Sequence, residues 1–549
     1  MGRATLLRVN QYRSIDHAIE LTFPTGVPLV LFGENNAGKS NLISALELVL
    51  GEHWPGSREP DDRDYFDRNH EAIPIEIVVG LEGIESKGSV MDALIWRYPD
   101  VDGKPFRMRY QRGGAESPFV SNEVRDQLPC VVVGSDRRLS YQLSYLSKST
   151  FLSRVMREFH SQLISDQDRV DLLKEKFEEI KAIFHGVEPF SGFETLLQQE
   201  VGRLSGNLDY ALSIDFSAYD PANYFHALRI MPSESGEIRT FDELGTGQQQ
   251  ILALAFAYAF ALAFKGGDSN LVLVIEEPEA YLHPLAQRWV ARSIADVAQK
   301  GVQVVITTHS PAFVDVLNVE GLALVRKREG STTVKQLTPA RLAQHCSQHG
   351  APKATAESVL PFYATAATQD LMSGLFAKRV VLVEGPTEAL ALPIYLARAG
   401  LNVTRDGVAV LAVHGVTNLP KWWRFFTAYE IPTYLVFDND RESDRDGKAR
   451  TEIVETVGFA ADQRQQAIRT DKLTVWGAVA VFGANFEAAL RSLIGDSYLR
   501  LEEEARQQFG LTGDASKPLV ARYVAERIEL ETPAIELLEK LAAAILAAA

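Results

Sequence analysis

The sequence of 549 residues predicts an α/β protein with two successive α/β domains, the first interrupted by a long insertion. Two observations lead to this prediction. Short apolar strands that end in glycine-rich or acidic turns recur along the chain, and helical segments follow them. These strands also fall into two groups, one before about residue 330 and one that begins near residue 378.

Composition and charge restrict the class of protein further. Acidic residues outnumber basic ones by 72 to 56, the formal net charge is −16, and 46% of the residues are hydrophobic. These values are typical of a soluble globular protein, and they exclude a chain disordered throughout or a uniformly basic nucleic-acid coat. The only two cysteines, Cys130 and Cys346, exclude a disulfide framework and favour the cytoplasm.

No membrane segment is expected. The N-terminus lacks the apolar core of a signal peptide. The longest apolar run, residues 251–264, has 14 residues, whereas a membrane span needs about 20. A buried helix is therefore the prediction for this run.

The first group of strands predicts one parallel sheet built from distant parts of the chain. Its strands are expected at 28–32, 271–275 and 302–307. Between the first two, residues 94–112 resemble a hairpin that turns at Asp102-Gly103. Residues 150–204 form a charged helical pattern, with apolar residues at helical spacing at Leu172, Leu173, Phe177, Ile180 and Ile183.

The turn after the first strand carries a phosphate-binding pattern. The pattern GxxxxGK[ST] is matched, between a strand and a helix, by Gly33, Glu34, Asn35, Asn36, Ala37, Gly38, Lys39 and Ser40. Loop amides and the helix N-terminus cradle phosphates, Lys39 neutralises the β- and γ-phosphate oxygens, and Ser40 ligates Mg²⁺. Asn41 completes the expected ATP site. An ordinary glycine turn is the alternative, and the strand–loop–helix context disfavours it.

Acidic residues follow the second strand at Glu276-Glu277-Pro278-Glu279. At a strand end, Glu276 is predicted to hold the metal and Glu277 to act as general base; a solvated acidic turn is the alternative. His309 follows the third strand and is a catalytic candidate, although an isolated histidine there is more often structural.

A second glycine-containing turn precedes the apolar helix, at Leu244-Gly245-Thr246-Gly247-Gln248-Gln249. Gly245, Gly247 and Gln248 therefore predict a second phosphate-binding surface. The loop that carries Lys39 already binds the phosphates of one ATP, and that ATP has room for only one such loop. The second phosphate-binding surface therefore favours a nucleotide held between two subunits.

These motifs together resemble an ABC ATPase head of the SMC/RecF type. Residues 33–40 resemble Walker A, 244–248 the signature motif, 273–277 Walker B, 279–283 the D-loop, and His309 the H-loop. The resemblance implies ATP-dependent pairing of two heads. It leaves the Q-loop glutamine unassigned.

The second group of strands carries its own acidic turns. Residues 380–383 lead into Glu384-Gly385-Pro386-Thr387-Glu388, and residues 433–437 lead into Asp438-Asn439-Asp440. If the two strands are adjacent and parallel, Glu384, Glu388, Asp438 and Asp440 meet in one crevice. Clustered carboxylates need divalent cations, and oxygen-only ligands favour Mg²⁺ or Mn²⁺. A polar loop in an inert Rossmann-like domain is the alternative.

These residues resemble the Toprim domain, and an ABC head followed by Toprim resembles the OLD (overcoming-lysogenization-defect) nuclease family, which includes the nuclease subunit of Gabija-type phage defence. The resemblance implies metal ligation by the four carboxylates and by Glu487, and stabilisation of the transition state by Lys517. It also implies dimerisation through the helical insertion.

The resulting scheme has an ABC N-terminal lobe at 1–149, a helical dimerisation insertion at 150–205, an ABC C-terminal lobe at 206–330, a linker at 331–376 and a Toprim domain at 377–549. The predicted function is an ATP-binding, Mg²⁺- or Mn²⁺-dependent DNA endonuclease in anti-phage defence, forming a homodimer or higher oligomer. A helicase or another defence subunit is left open as a partner. The alternative is an ATP-switched DNA-binding or scaffold protein whose Toprim domain does not cleave.

Two further segments combine basic and apolar residues. The predicted hairpin carries basic residues that fit a DNA backbone or a solvated hairpin equally well, namely Arg97, Lys104, Arg107, Arg109 and Arg112. In the segment 421–426, Trp422, Trp423 and Phe426 fit base stacking, but their helical spacing favours a core position.

Overall fold

The computed structural model describes residues 2–51, 54–55, 59–70, 74–86, 88–99, 108–118, 120–134, 165–186, 196, 233–234, 237–238, 243–263, 270–440, 445–511 and 516–548. The chain divides into two compact units. The larger comprises Met1–Val132, Lys265–Glu279 and His283–Ala549, and the smaller comprises Val133–Phe264 and Ala280–Leu282.

The strands of the described residues are, in chain order, β1 (Arg3–Asn10), β2 (Ile19–Thr22), β3 (Leu29–Phe32), β4 (Ile75–Ser86), β5 (Ser89–Tyr98), β6 (Arg109–Arg112), β7 (Ala115–Pro118), β8 (Cys130–Val133), β9 (Ser233–Glu234), β10 (Glu237–Ile238), β11 (Val272–Glu276), β12 (Gln303–Thr308), β13 (Leu322–Arg328), β14 (Ser331–Gln336), β15 (Arg379–Val383), β16 (Val408–Ala412), β17 (Thr433–Phe437), β18 (Leu473–Val475) and β19 (Val479–Phe482).

The α-helices of the described residues are α1 (Lys39–Leu50), α2 (Asn122–Asp126), α3 (Gln167–His185), α4 (Thr246–Ala263), α5 (Pro284–Gln299), α6 (Pro339–Gln348), α7 (Ala356–Ala366), α8 (Gln369–Ser373), α9 (Pro386–Arg398), α10 (Leu419–Ala428), α11 (Lys448–Thr456), α12 (Ala461–Ala467), α13 (Phe486–Ile494), α14 (Asp496–Phe509), α15 (Lys517–Arg527) and α16 (Thr532–Ala547).

The P-loop sheet has the strand order β14-β13-β3-β12-β11-β8. Strands β11, β12, β3 and β13 pair in parallel, and β14 pairs antiparallel with β13. The prediction of one parallel sheet from distant strands is therefore confirmed. All four side chains of β3 are buried, as a strand covered on both faces requires.

A second, antiparallel sheet has the order β2-β1-β4-β5-β6-β7. Helix α1 packs between the two sheets, because one apolar cluster contains its side chains together with side chains of β3 and β4. The apolar face of α1, which includes Leu42, Ala45, Leu46 and Val49, is buried. The predicted hairpin is confirmed in its paired strands β5 and β6; its turn lies outside the described residues.

The C-terminal sheet has the order β16-β15-β17-β19-β18, with β16, β15, β17 and β19 in parallel. Its core includes Leu538, Leu541 and Ile545 of α16. The alanine-rich C-terminal helix is therefore an integral part of this domain.

The segment 331–376 is folded, and the prediction of a linker there is wrong. Its first residues form β14, and three short helices follow, each beginning after a threonine whose side chain accepts a backbone N–H: Thr338, Thr355 and Thr368. These helices contain only 5 to 11 residues. A segment of that length holds too few turns for the helical spacing of its apolar residues to be recognised in the sequence. The predicted boundaries near 150 and 205 lie outside the described residues.

Two helices of the smaller unit fall within predicted helical segments. Helix α3 lies within 150–205, and most of that segment is outside the described residues. Helix α4 covers most of the long apolar run, but it is not buried on all sides: Leu254 is buried, whereas Leu252 is 36% exposed. Among the described residues, none of the helices is both long and apolar enough to cross a membrane.

Candidate nucleotide and metal sites

The loop between β3 and α1 needs glycine at two positions. Gly33 has φ +146°, and a Cβ atom there would lie 2.0 Å from the carbonyl oxygen of Val325 in β13. Gly38 has φ +107°, and a Cβ would lie 2.1 Å from Oγ1 of Thr332 in β14. A side chain at either position would therefore displace the loop from the sheet.

A chain of hydrogen bonds fixes the end of this loop. Asn41 Nδ2 donates to Ser14 Oγ at 2.6 Å, and Ser14 Oγ lies 2.7 Å from Thr332 Oγ1. Thr332 Oγ1 in turn donates to the carbonyl oxygen of Ala37 at 2.9 Å. Asn41, predicted to bind nucleotide, thus anchors the loop through its side chain.

Lys39 is buried at the start of α1. Its Nζ donates to the carbonyl oxygens of Gly33 at 3.1 Å and Glu34 at 2.9 Å. Burial lowers the pKa of Lys39 to about 8, although the nearby carboxylates of Glu277 and Glu279 favour its charged form.

The acidic turn after β11 lies beside His309. Oε1 of Glu277 is 3.7 Å from Nε2 of His309. Burial, reinforced by the charge of Lys39, lowers the pKa of His309. Glu279 Oε1 accepts the backbone N–H of His309 at 2.6 Å, and burial raises the pKa of Glu279. Glu276, at the end of β11, is in register with Thr307 of β12.

Sequence reasoning placed Glu279 only in a D-loop-like segment and assigned it no chemistry. The sequence does contain an indication of its role, because Glu279 is the third glutamate of the acidic turn Glu276-Glu277-Pro278-Glu279. The predicted Lys39, Glu277 and His309 are indeed close together in space.

The glycine turn before α4 belongs to the smaller unit. Gly245 N donates to Gln248 Oε1 at 3.1 Å, and Gln248 N donates to the carbonyl oxygen of Gly245 at 2.9 Å. Gly247 lies in the first turn of α4, where a Cβ would be 3.0 Å from the carbonyl oxygen of Tyr281. These residues form a helix N-terminus, as predicted.

The C-terminal site lies at one edge of its sheet. Strands β15 and β17 are adjacent and parallel, with Leu382 opposite Leu435. Glu384 therefore follows β15 at the same edge where Asp438 follows β17. The neighbouring strand β19 leads into α13, which carries Glu487 in its first turn.

Backbone and side-chain contacts hold the acidic residues in place. Glu388 Oε2 accepts the N–H of Gly385 at 3.1 Å, and Asp438 Oδ2 accepts the N–H of Phe486 at 3.1 Å. Between the two aspartates, Asn439 is buried, and its Nδ2 donates to two carbonyl oxygens, those of Ala467 at 2.8 Å and Thr470 at 2.9 Å. Asn439 is an anchor that sequence reasoning missed.

The carboxylates at this edge act on one another. Burial raises the pKa of Glu388 to about 7, and the charges of Glu384 and Glu487 add to this effect. Burial also raises the pKa of Asp438 well above its usual range, with Glu388, Glu384 and Glu487 contributing. Burial and Asp440 together raise the pKa of Glu384. Each of the five predicted carboxylates therefore lies within electrostatic reach of at least one other.

The chemistry of this group would suit a hard divalent cation, because every side chain in it is a carboxylate. In the described part of the chain, no three His, Cys, Asp or Glu side chains form a ready-made metal site.

Lys517, the first residue of α15, lines a cavity of about 170 Å³ together with Glu487.

Comparison with known proteins identifies both parts. A family model described as "AAA domain, putative AbiEii toxin, Type IV TA system" matches residues 135–315, and one described as "Overcoming lysogenization defect protein-like, TOPRIM domain" matches residues 375–440. The OLD nuclease of Thermus scotoductus is 28% identical over 547 residues, covering 94% of this chain and 97% of that protein. The chain is therefore similar to the OLD nucleases over almost its whole length.

A second OLD relative, the Old nuclease of Escherichia phage P2, is 22% identical over 462 residues, 75% of this chain and 73% of that protein. An SMC head solved with the C-winged helix domain of ScpA aligns with a TM-score of 0.36 and 17% identity, over 61% of this chain and 97% of that one. The two family models confirm the predicted order of an ATPase domain followed by a Toprim domain.

The ATPase sheet contacts the Toprim domain next to the P-loop. Phe32, the last residue of β3, has its ring centroid 5.7 Å from that of Phe376 and 6.0 Å from that of Tyr429. Arg326 of β13 donates to the carbonyl oxygen of Ala377. Phe32 is buried and immediately precedes Gly33, so this contact with the Toprim domain lies directly beside the P-loop.

Ion pairs flank the contact made by Phe32 and Tyr429. Glu430 binds Arg328 at 3.0 Å and Lys335 at 2.6 Å, two residues of the β13–β14 hairpin. These ion pairs lower the pKa of Glu430, Lys335 having the largest effect. Tyr429 and Glu430 join α10 to β17, the strand that ends at Asp438.

In the two other basic segments, Arg97 and the buried face of α10 have structural roles. Arg97 donates to Glu76 at 2.7 Å and to Glu116 at 3.1 Å, so its guanidinium is already paired. Lys104 and Arg107 lie outside the described residues. Trp422 and Phe426 are fully buried, which confirms a core position for this face of α10, while Trp423 donates to the carbonyl oxygen of Thr433.

Proposed function

We propose that this protein is an ATP-regulated, Mg²⁺- or Mn²⁺-dependent DNA endonuclease that acts in anti-phage defence. One observation carries the proposal: five carboxylates gather at the edge of the Toprim sheet, and burial and mutual repulsion raise the pKa values of three of them. Such a group is unfavourable without cations and suits divalent ions. The nuclease names of both relatives support the same activity.

The residues have separable roles in this proposal. Glu384, Glu388, Asp438, Asp440 and Glu487 hold the metal. Mg²⁺ or Mn²⁺ bound by these oxygens would polarise the phosphodiester and the attacking water. The N–H groups of Gly385 and Phe486 fix the orientation of Glu388 and Asp438. Lys517 supplies positive charge to the negatively charged transition state.

ATP binds the first site. Gly33–Ser40 cradle the phosphates, Lys39 neutralises their charge, Ser40 and Glu276 hold Mg²⁺, and Glu277 and His309 orient the water for hydrolysis. Gly245, Gly247 and Gln248 complete the site on a second copy of the chain. The contact between Phe32 and Tyr429 supports regulation, because Phe32 immediately precedes the P-loop and Tyr429 lies four residues before β17, the strand that Asp438 follows.

The oligomer proposed is a homodimer formed through the helical insertion. Leu172 is 55% exposed and Ile183 is 71% exposed on α3, and these apolar side chains support a partner surface there. DNA is the proposed substrate and the cytoplasm the proposed compartment, where the two buried cysteines stay reduced.

The first test is cleavage of supercoiled plasmid with Mg²⁺ or Mn²⁺, with and without ATP, by the wild type and by Glu384→Gln and Asp438→Asn. These substitutions keep side-chain size and remove charge. Glu539→Gln, at an exposed position of α16, is the matched control. We expect metal-dependent nicking that both site variants lose and the control retains.

The comparison of lanes with and without ATP gives the sign of regulation. If the wild type binds ATP and DNA but leaves plasmid intact with either metal, the nuclease proposal fails. An ATP-switched DNA-binding protein then becomes the better description.

A further inference from the structure

A small polar cavity of about 170 Å³ lies beside the carboxylate group of the Toprim domain. The residues that line it include three cations and two carboxylates, together with one aromatic side chain: Glu487, Arg491, Tyr498, Glu502, Arg506 and Lys517. Glu487 and Lys517 have roles in the proposed nuclease site. The others have none so far.

Arg491 is held in one orientation. It lies four residues after Glu487 on α13, so the two side chains share one face of that helix. Its Nε donates to Glu502 Oε2 at 2.9 Å and its Nη2 donates to Oε1 at 2.7 Å. This two-point pairing fixes the plane of the guanidinium. The ring of Tyr498 lies 6.0 Å from it.

Glu502 is itself constrained. Its side chain is only 13% exposed, and it also accepts from Arg506 Nη2 at 3.3 Å. Both carboxylate oxygens are therefore engaged by Arg491, and one of them by Arg506 as well. Glu502 orients the guanidinium rather than binding a ligand.

One edge of the Arg491 guanidinium stays available. A guanidinium has five N–H donors in a planar fork, and Glu502 engages only Nε and Nη2. Within the described residues, no atom accepts a hydrogen bond from Nη1 of Arg491. The side chain is 40% exposed, so an anion can reach this edge from solvent.

The charges of the cavity favour an anion. Arg491, Arg506 and Lys517 bring three positive charges to the lining, against the two carboxylates of Glu487 and Glu502. A phosphate oxygen is the anion that a fixed guanidinium edge recognises best in a protein that acts on DNA.

We propose that Arg491 binds a non-bridging oxygen of the DNA phosphate next to the one that is cleaved, and that Glu502 is the positioning residue that presents it. This inference rests on the proposed nuclease function. Arg491 fixes the register of the strand at the metal site, so its loss weakens substrate binding more than the chemical step.

The test separates DNA binding from cleavage. Binding of a labelled duplex, measured by anisotropy in EDTA over a range of NaCl concentrations, is compared for the wild type and Arg491→Ala. The slope of the logarithm of the DNA-binding constant against the logarithm of the salt concentration is negative. Loss of one phosphate contact should reduce its magnitude by about 0.9. In cleavage assays we expect KM to rise about tenfold while kcat changes less than about threefold.

Two further variants distinguish a specific contact from general charge. Arg500→Ala, at an exposed position of α14 outside the cavity, makes the same change in net charge and should leave KM unchanged. Glu502→Gln removes a negative charge, so general electrostatics predicts tighter DNA binding. The positioning role predicts the opposite, a higher KM.

The outcomes are decisive in both directions. A melting temperature near that of the wild type establishes that each variant folds, and Arg491→Lys, which keeps the charge but not the fork, should still raise KM. If folded Arg491→Ala keeps the wild-type salt slope and KM, the inference is overturned. If the wild type binds DNA without cutting it, the nuclease proposal fails, while the salt slope still tests Arg491.

Discussion

The nucleotide site and the Toprim site both lie at carboxyl edges of parallel strands, but their charges are arranged in opposite ways. In the nucleotide site, the buried ammonium group of Lys39 lies near Glu277 and Glu279, so opposite charges offset one another. In the Toprim site, the charged neighbours that shift the pKa values of Glu388 and Asp438 are all carboxylates.

This difference in charge indicates which of the two sites is stabilised by its ligand. The P-loop is fixed by its own contacts, since Ser14, Asn41 and Thr332 tie it to the sheet. The Toprim carboxylates are also fixed in place, but their mutual repulsion is relieved only when they bind a cation or a proton. Metal binding should therefore stabilise the Toprim domain, whereas the P-loop is formed before ATP arrives.

Lys39→Ala tests whether the two sites are independent, and it has the largest expected effect. Loss of the ammonium group removes charge-assisted hydrogen bonds to phosphate, so ATP affinity should fall about 100-fold or more. Calorimetric titrations with ATP and with Mn²⁺ measure both sites. Mn²⁺ binding at the Toprim carboxylates should be unchanged; its loss would show that the sites are not separable.

Metal stabilisation tests the difference in charge directly. At Mg²⁺ or Mn²⁺ concentrations about 100 times Kd, the free energy of unfolding should rise by about 2.7 kcal/mol, which corresponds to a melting temperature higher by roughly 5 °C. Differential scanning fluorimetry of the wild type and Asp438→Asn measures this shift. An equal rise in both proteins would mean that the metal acts elsewhere.

Thr332→Val tests how firmly the P-loop is locked. The substitution keeps the shape but removes the hydroxyl that donates to the carbonyl oxygen of Ala37. A buried hydrogen bond lost in this way costs about 1–3 kcal/mol. Chemical denaturation should show this loss, and ATP affinity should fall several-fold. Thr333→Val, whose hydroxyl bonds the carbonyl oxygen of Arg326 instead, is the control.

Much of the fold could be predicted because its signals are local. An apolar run such as 28–32 followed by Gly33 and Gly38 specifies strand, loop and helix within a dozen residues. The same holds for the acidic turn that begins at Asp438. By contrast, Ser14 and Thr332 are 318 positions apart, and no local pattern connects them.

The errors and omissions have physical causes too. The helices between 337 and 373 are too short for a period, yet Thr338, Thr355 and Thr368 are N-cap residues whose signal is present in the sequence. Arg491 and Glu502 sit on different helices, so their pairing depends on how α13 and α14 pack. The sequence of the turn between α13 and α14 does not specify how the two helices pack.

The contact between Phe32 and Tyr429 is the place where the nucleotide site and the Toprim site can influence each other. Phe32 immediately precedes the P-loop, and Tyr429 lies four residues before β17. A double-mutant cycle with Phe32→Leu and Tyr429→Leu should give a coupling free energy of about 0.5–1.5 kcal/mol, the usual range for an aromatic pair.

The same cycle can be read in cleavage assays as the ratio of rates with and without ATP. If this contact transmits the state of the P-loop, either single variant should move the ratio toward one, and the double variant should add little. Melting temperatures control for general destabilisation. Additive effects on the ratio, with coupling seen only in stability, would mean that the aromatic contact holds the domains together without carrying the ATP signal.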